Sequence, residues 1–305
     1  MKMFPENCRW LAVCILAMGM QAHAKLNVVT TITDFAVVAE AVGGDAVKVT
    51  SLASGSEDPH YIDARPSFIR TLNRADLLIE GGVELEIGWL PPLVNNARNR
   101  DILPGGKGRL NASRGLRLMG IPTGPVDRSQ GDVHALGNPH YMMDPVNAGI
   151  VARNIAAAMK RLQAGDADLF DRNLKAFLAR LEEKEKEWKG RLAPFKGTKV
   201  VTYHQNFDYF AARFGLVIVD NIEPKPGIDP SPTDVQQLMV TMKEQGVKLV
   251  IIEPIRSRRT PEKLARSSGA DVVVLPFMAD ADRKTSTYVD WIDHCISLLE
   301  NSLKQ

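Results

Sequence analysis

The sequence predicts an α/β protein built from two similar parallel-sheet βα domains that are joined by one long rigid helix. Three observations support this fold. Short apolar runs that suit buried strands alternate with helical patterns, the second half of the chain repeats the first, and an unbroken helical pattern separates the halves. Ligands of parallel sheets bind beyond the carboxyl ends of the strands, so we expect a site in the cleft between the domains.

The first half of the chain shows the alternation of strands and helices directly. An apolar run at Leu26–Thr30 is typical of a buried strand, and apolar residues at helical spacing then lead to a glycine pair at 43–44. The following elements are predicted at 47–52 (strand), Pro66–Asn73 (helix) and 75–80 (strand). The stretch 98–130 is rich in Gly and Pro, and it offers only a strand near 116–119.

The stretch 137–145 (GNPHYMMDP) places one histidine in a segment with little conformational freedom. Pro139 fixes its own φ and pushes the residue before it toward extended backbone. Asp144 can cap the first free N–H groups of a helix, and Pro145 suits the first helical position. We therefore expect His140 on a rigid loop that runs into a helix. Taken alone, an ordinary loop histidine would be the simpler interpretation.

The helical pattern over Ala167–Leu192 carries an apolar stripe on one side and charged residues on the other. At 1.5 Å per residue this helix would be about 40 Å long, enough to run the height of both domains. We interpret 166–194 as a rigid connector between an N-terminal domain at 25–165 and a C-terminal domain at 195–305.

The two halves match at a constant spacing. Val28-Val29-Thr30 corresponds to Val200-Val201-Thr202 at an offset of 172 residues, and the later run 77–80 resembles 250–253 at an offset of 173. At the first offset, His204 falls where the first repeat has an isoleucine. Histidine in place of an apolar residue at a strand end is a weak functional indication by itself.

Composition and charge exclude several classes of protein. The chain has 45% hydrophobic and 24% charged residues, as is typical of soluble globular proteins. A net charge of +2 gives no argument for nucleic acid or an anionic membrane as a partner. Cys295 is the only cysteine after residue 24, so the mature chain has no intrachain disulfide. We expect a monomer.

The N-terminus has the pattern of a signal peptide. Basic residues precede an apolar run at 10–20, and Ala22-His23-Ala24 matches an A-x-A cleavage site. The run is too short to span a membrane as a mature helix, so we expect cleavage after Ala24 and a periplasmic mature protein. Cys14 follows a faint lipoprotein box, but it lies too early in the apolar run for lipidation to be expected.

Three histidines lie at predicted strand ends or just before a helix. His60 ends the loop after the second strand, His140 precedes a helix, and His204 lies two residues beyond a strand core. The stretch 277–282 (FMADAD) follows the last predicted strand, at 272–275, and adds carboxylates at the same edge. Three imidazoles and a carboxylate form a nitrogen-rich, four-coordinate set that suits Zn²⁺, whereas a manganese site would be expected to use more oxygen.

A set of short motifs adds a family resemblance. The stretches are Asp58-Pro59-His60 with Pro66-Ser67, Ala75-Asp76 with Gly81-Gly82, Gly137-Asn138-Pro139-His140 with Asp144-Pro145, Tyr203-His204 with Phe207-Tyr209-Phe210, and Ile252-Glu253-Pro254. With them, nearly all of the mature chain resembles the metal-binding solute proteins of bacterial ABC importers for zinc and manganese. The resemblance implies a metal ion held between two α/β domains, with His60, His140 and His204 as ligands, and delivery of that ion to a membrane permease.

The resemblance also implies a fourth ligand, a carboxylate just after a late strand, which falls on Asp280 or Asp282. Asp280 is nearer the strand end, whereas Asp282 precedes Arg283 and Lys284, which can satisfy it at the surface. We therefore expect Asp280 to complete the site, with Asp282 as the alternative. Many zinc members carry a long His- and Asp-rich loop, but 124–133 contains no histidine.

These expectations describe a periplasmic protein that captures Zn²⁺ for an ABC permease. The first alternative is a manganese or iron carrier of the same fold, for which more oxygen ligands would be expected. The second is a zinc hydrolase, which needs an open coordination position for water. The chain has no H-E-x-x-H motif, and a fourth protein ligand is available, so we expect no enzymatic activity.

Four other residues have less specific interpretations. His134 lies shortly before His140 and could pass metal inward, although a surface histidine is the simpler interpretation. Cys295 and His294 are neighbours on a helix and so face different sides, with Cys295 expected in the core and His294 at the surface. Glu253 ends a buried strand, where it either bonds to a ligand histidine or caps a loop.

Overall fold

The computed structural model describes residues 24–126, 131–281 and 284–304. The expected signal peptide, apart from Ala24, and the alternative ligand Asp282 lie outside these residues. Within them, two four-stranded parallel sheets are flanked by helices and separated in the chain by one long helix. This confirms the predicted fold class, a two-domain α/β protein.

The first sheet has the strand order β2-β1-β3-β4. Its strands are β1 (Leu26–Thr30), β2 (Val47–Ser51), β3 (Leu77–Glu80) and β4 (Arg109–Asn111). The helices of this half are α1 (Thr33–Gly43), α2 (Pro66–Asn73), α3 (Leu90–Asn96) and α4 (Pro145–Leu162). The strand order reverses between β1 and β3, which is where parallel sheets form ligand crevices at the carboxyl ends of their strands.

The second sheet has the equivalent order, β6-β5-β7-β8. Its strands are β5 (Lys199–Thr202), β6 (Val217–Asn221), β7 (Leu249–Ile252) and β8 (Asp271–Val274). Its helices are α6 (Asp208–Phe214), α7 (Pro232–Gln245), α8 (Arg259–Ser268) and α9 (Tyr288–Leu303). Here the order reverses between β5 and β7, so both halves present equivalent crevices.

The strand registers place the two central strands of each sheet at one offset in the internal repeat. Thr30 pairs with Ile79 in the first sheet, and Thr202 pairs with Ile251 in the second. Thr30 and Thr202 are 172 residues apart, and so are Ile79 and Ile251. The offset of 173 expected for β3 and β7 is therefore wrong by one residue. The four residues of β7 are all apolar and buried, and a one-residue slip therefore leaves the sequence match almost unchanged.

The fourth strand of the first sheet is not where the sequence indicated. β4 pairs with β3 through Leu110 and Ile79, whereas the segment predicted as a strand, 116–119, is irregular. Met119 donates to the Tyr209 hydroxyl and accepts from Asn138 N, so its backbone bonds go to two separate partners instead of a neighbouring strand. An apolar pattern this short does not distinguish a strand from a packed loop.

The predicted connecting helix is α5 (Ala167–Leu192), which has 26 residues and the bounds expected from the sequence. It buries an apolar stripe that includes Phe170, Phe177 and Trp188 in a core shared by both halves. The Trp188 indole donates to Asp293 Oδ1 at 2.8 Å and so ties α5 to α9. None of the described helices combines the length and the apolar character needed to cross a membrane.

Candidate metal centre

His60 lies at the end of the loop that follows β2, in a segment whose backbone is held at several points. Ala53 N donates to Thr31 O at 3.0 Å, which keeps the start of the loop beside β1. At the other end, His60 N donates to Asp58 Oδ1 at 3.1 Å, and the Trp89 indole donates to Pro59 O at 3.0 Å. These contacts fix the direction in which the His60 side chain leaves the loop.

His140 lies on the constrained loop before α4, as the sequence predicted. Its amide donates to Asn138 Oδ1 at 2.8 Å. Asp144 is the N-cap of α4 and accepts from Val146 N at 2.9 Å, and Pro145 occupies the first helical turn. The expected helix start is thereby confirmed, and hydrogen bonds hold the backbone on both sides of His140.

His204 follows β5 at the carboxyl end of the second sheet and is 3% exposed. Its Nδ1 lies 2.7 Å from Glu223 Oε2, on the segment that follows β6. The same carboxylate oxygen accepts from Gly227 N at 2.8 Å, and Arg256 Nη2 lies 3.3 Å from the other oxygen. This partner fixes the ring of His204 and leaves its Nε2 free for an ion.

The three imidazoles converge on one point between the domains. One nitrogen from each of His60, His140 and His204 lies within 4.8 Å of the others, the one such group among the described residues. The His60 and His140 Nε2 atoms are 3.2 Å apart. The ring planes meet at 69° to 85°, with centroids 5.1 to 5.5 Å apart, so the rings meet edge to face instead of stacking. This arrangement suits three nitrogen ligands of one ion.

The electrostatics of this group favour neutral rings. Burial holds the pKa of both His60 and His140 well below its usual value of 6.5, and the neighbouring imidazoles and Arg256 lower it further. Neutral imidazole is the form that binds a metal ion, so these two ligands need lose no proton on binding near neutral pH.

Contacts across the domains hold the loops of the site together. The Asn138 side chain donates to Gln205 O at 2.8 Å and to Asp208 Oδ2 at 3.0 Å, and the Tyr209 hydroxyl donates to Asn138 O at 2.8 Å. Asn138 therefore links the loop of His140 to the turn that follows His204.

Comparisons with known proteins agree with this geometry. A family model described as "Zinc-uptake complex component A periplasmic" matches residues 28–302. The chain belongs to this family. A solved structure titled "Crystal structure of ZnuA" has a TM-score of 0.77 at 25% sequence identity, covering 91% of this chain and 99% of that chain.

Curated relatives in the same family are named for different metals. The high-affinity zinc uptake system protein ZnuA of Bacillus subtilis is 26% identical over 290 residues, covering 92% of this chain and 88% of the relative. The manganese ABC transporter lipoprotein PsaA of Streptococcus pneumoniae is 24% identical over 253 residues, covering 81% and 78%. Another relative is named for iron. These are extracytoplasmic substrate-binding proteins of ABC importers, which confirms the expectation that the chain is not an enzyme.

The predicted carboxylate ligand Asp280 is not brought to the three histidines. Its side chain is exposed, its φ is +60°, and it lines a surface cavity with Glu40 and Thr285. Met278, two residues earlier, instead lines a small cavity beside His140. The loop after β8 therefore approaches His140 through Met278 and not through Asp280.

Glu223 and Glu253 are two buried acids of the second half that lie close to His204 or to the turn that follows it. Burial alone would raise the pKa of Glu223, but the His204 bond, the Gly227 amide and Arg256 hold it below its usual range. We did not expect Glu223 from the sequence; in the structure it lies two residues beyond the end of β6. Glu253 is fully buried and accepts from Asn206 Nδ2 at 2.7 Å, so it holds the turn after His204 and does not bond to a ligand histidine.

Of the histidines outside the central group, His134 differs from the surface position that was its simpler interpretation. His134 is not a free surface residue, because its ring stacks on His60 with centroids 5.1 Å apart and an interplanar angle of 23°. Its Nε2 is buried and has no hydrogen-bond partner among the described residues. Cys295 is buried in the core, as expected, and the neighbouring His294 is half-buried on α9.

Proposed function

We propose that this protein captures Zn²⁺ outside the cytoplasm and delivers it to the permease of an ABC importer. The observation that carries the proposal is the convergence of His60, His140 and His204 within 4.8 Å, on loops from both halves of the chain. Membership in a family of metal-binding importer components supports the same function.

Zinc is favoured by the chemistry of the donors. Three neutral imidazoles suit Zn²⁺, which is commonly bound by nitrogen and sulfur in tetrahedral sites. A site for manganese would be expected to offer more oxygen, but the carboxylate that contacts a ligand ring, Glu223, is bonded to His204 Nδ1. Since relatives are named for manganese and iron, the experiment must distinguish zinc from these two metals.

In the proposed site the three histidines are the protein ligands, and a fourth donor completes the tetrahedron. Three neutral ligands leave the double charge of the ion uncompensated, which favours an anionic group nearby. Glu223, hydrogen-bonded to His204 Nδ1, places a negative charge on the far side of that ring from the ion. For Asp280 to bind directly, its loop would have to leave the contacts that Thr33 and Asp34 make with Ala279 at 2.6 Å and 2.9 Å.

The division of ligands between the domains suggests how the ion is released. His60 and His140 belong to the first half, whereas His204 and its partner Glu223 belong to the second. Separation of the halves would therefore leave two imidazoles instead of three. The permease would drive release by holding the domains apart, and the protein would act as a monomer with a signal peptide cleaved after Ala24.

The test is metal analysis of protein purified from the extracytoplasmic fraction, without chelator or affinity tag. We expect one zinc ion per chain, and competition titration should then show one site with zinc well ahead of manganese and iron. Triple substitution of His60, His140 and His204 by Ala should abolish the site, while His294→Ala serves as a matched control. Manganese or iron in place of zinc, or two equal zinc sites, would overturn the proposal.

A further inference from the structure

A second concave site lies on the first domain, in a groove between α2 and the edge strand β2. Its volume is about 310 Å³, at the lower end of the range of about 300–1,000 Å³ that is typical of small-molecule pockets. Helix α2 has only 8 residues, and the groove lies between it and the face of β2 that carries Lys48 and Thr50. The groove forms because this short helix leaves part of that face of β2 uncovered.

The lining of the groove combines positive charge with hydroxyl groups. Ser67, Arg70 and Arg74 are three and four residues apart, so they share one face of α2. Lys48 and Thr50 are two residues apart on β2 and so point to the same side of the sheet. Three cations therefore converge on a groove whose lining includes no carboxylate among the described residues.

These cations lack the partners that surface cations commonly have. In the described part of the chain, the side chains of Lys48, Arg70 and Arg74 form no hydrogen bond or ion pair. The end of α2 favours a cation near its last carbonyl groups, which accounts for Arg70 and Arg74 in part. It does not account for Lys48, which comes from a different element and adds to the mutual repulsion.

We propose that this groove binds an oxyanion of the phosphate class. The two guanidinium groups offer paired N–H donors that match phosphate oxygens, and Lys48 adds a third positive charge. The Ser67 and Thr50 hydroxyls can donate to the remaining oxygens. The ligand is either a free phosphate compound or a phospholipid headgroup, since both present the same oxygens.

The groove is separate from the histidine group. Lys48 lies near the amino end of β2, whereas His60 lies beyond the carboxyl end of the same strand. The two sites can therefore be tested independently, and zinc binding reports whether a groove variant has kept its fold.

Calorimetric titration of the full mature chain with inorganic phosphate and pyrophosphate tests the first source. Co-sedimentation with phosphatidylglycerol vesicles, against phosphatidylcholine alone, tests the second. The groove variant is K48Q/R70Q/R74Q. The control, R172Q/K175Q/K243Q, makes the same change in net charge at exposed positions of α5 and α7.

We expect saturable one-site binding by the wild type and the control, and a loss of affinity of about 100-fold or more in the groove variant. R70Q alone should lose about tenfold or more, since it removes one guanidinium and its paired, charge-assisted hydrogen bonds to the oxyanion. Binding of pyrophosphate identifies a free ligand, and groove-dependent binding of vesicles alone identifies a headgroup. The proposal is overturned if the wild type binds neither, or if the control loses as much affinity as the groove variant.

Discussion

Glu223 orients the one ligand that the second domain supplies, and Glu223→Gln removes its charge while preserving its volume. Its Oε2 faces both His204 Nδ1 and Gly227 N, and its Oε1 faces Arg256. A glutamine can keep its carbonyl oxygen toward His204, but its NH₂ group then points at the Arg256 guanidinium. The variant therefore keeps the hydrogen bond to His204 and loses the ion pair behind it.

The size of the effect follows from these contacts. Loss of a group that orients a metal-binding histidine costs about 10- to 100-fold in metal affinity, or about 1.4 to 2.7 kcal/mol. Glu223→Gln should fall near the lower value, because the bond to His204 is kept. Glu223→Ala should fall near the upper value, because it also leaves His204 Nδ1 and Gly227 N without their acceptor.

The assay is competition for zinc with a chromophoric chelator at neutral pH, together with thermal unfolding of the metal-free protein. Glu244→Gln is the matched control, since it makes the same chemical change at an exposed position of α7. Zinc affinity of both Glu223 variants within about threefold of the wild type, with the metal-free fold intact, would show that Glu223 does not position His204.

Three further predictions concern the same site. Protonation of His60 and His140 should cost little zinc affinity between about pH 7.5 and 6.5, because burial holds the pKa of both well below 6.5; a loss well above about tenfold within that window, measured by calorimetry, needs more than one competing proton and would contradict this. Asp280→Ala should leave zinc affinity within a few-fold of the wild type, as its side chain is exposed; a larger loss would show that its loop rearranges around the ion, and Asp282→Ala tests the alternative donor in the same assay. Zinc at about a thousandfold excess over its Kd should raise the free energy of unfolding by about 4 kcal/mol, and a melting temperature indifferent to zinc would exclude a site formed only by the folded protein.

Periodicity and end signals predicted the parts of the fold that bury apolar surface. Leu26–Thr30, Pro66–Asn73 and Ala167–Leu192 have the bounds expected from the sequence. The stretch around Asp144 was equally informative, because a cap followed by proline is a local device that needs no tertiary contact. These signals depend on residues that are close in the sequence, so they can be recognised from a single sequence.

The parts that were missed depend on contacts between distant residues. β4 has only three residues and is recognisable as a strand only through its pairing with β3. Asp280 has a left-handed backbone conformation and an exposed side chain, and neither feature is evident from the residues around it. Glu223 comes to His204 because β6 lies beside β5, which is a fact of sheet order and not of spacing.

Comparison of the two repeats shows that the domains contribute to the site from different positions. His204 occupies the position that Ile32 holds in the first repeat, and both are buried residues with extended backbone at the start of a helical segment. The first domain instead supplies its ligands from the loop after β2 and from the loop before α4. Burial lowers the pKa of His60 and His140, so neither ring readily takes up a proton near neutral pH. Under the proposed function, release therefore depends on withdrawing His204 as the domains separate, which requires breaking interdomain contacts such as those between Asn138 and the α6 region.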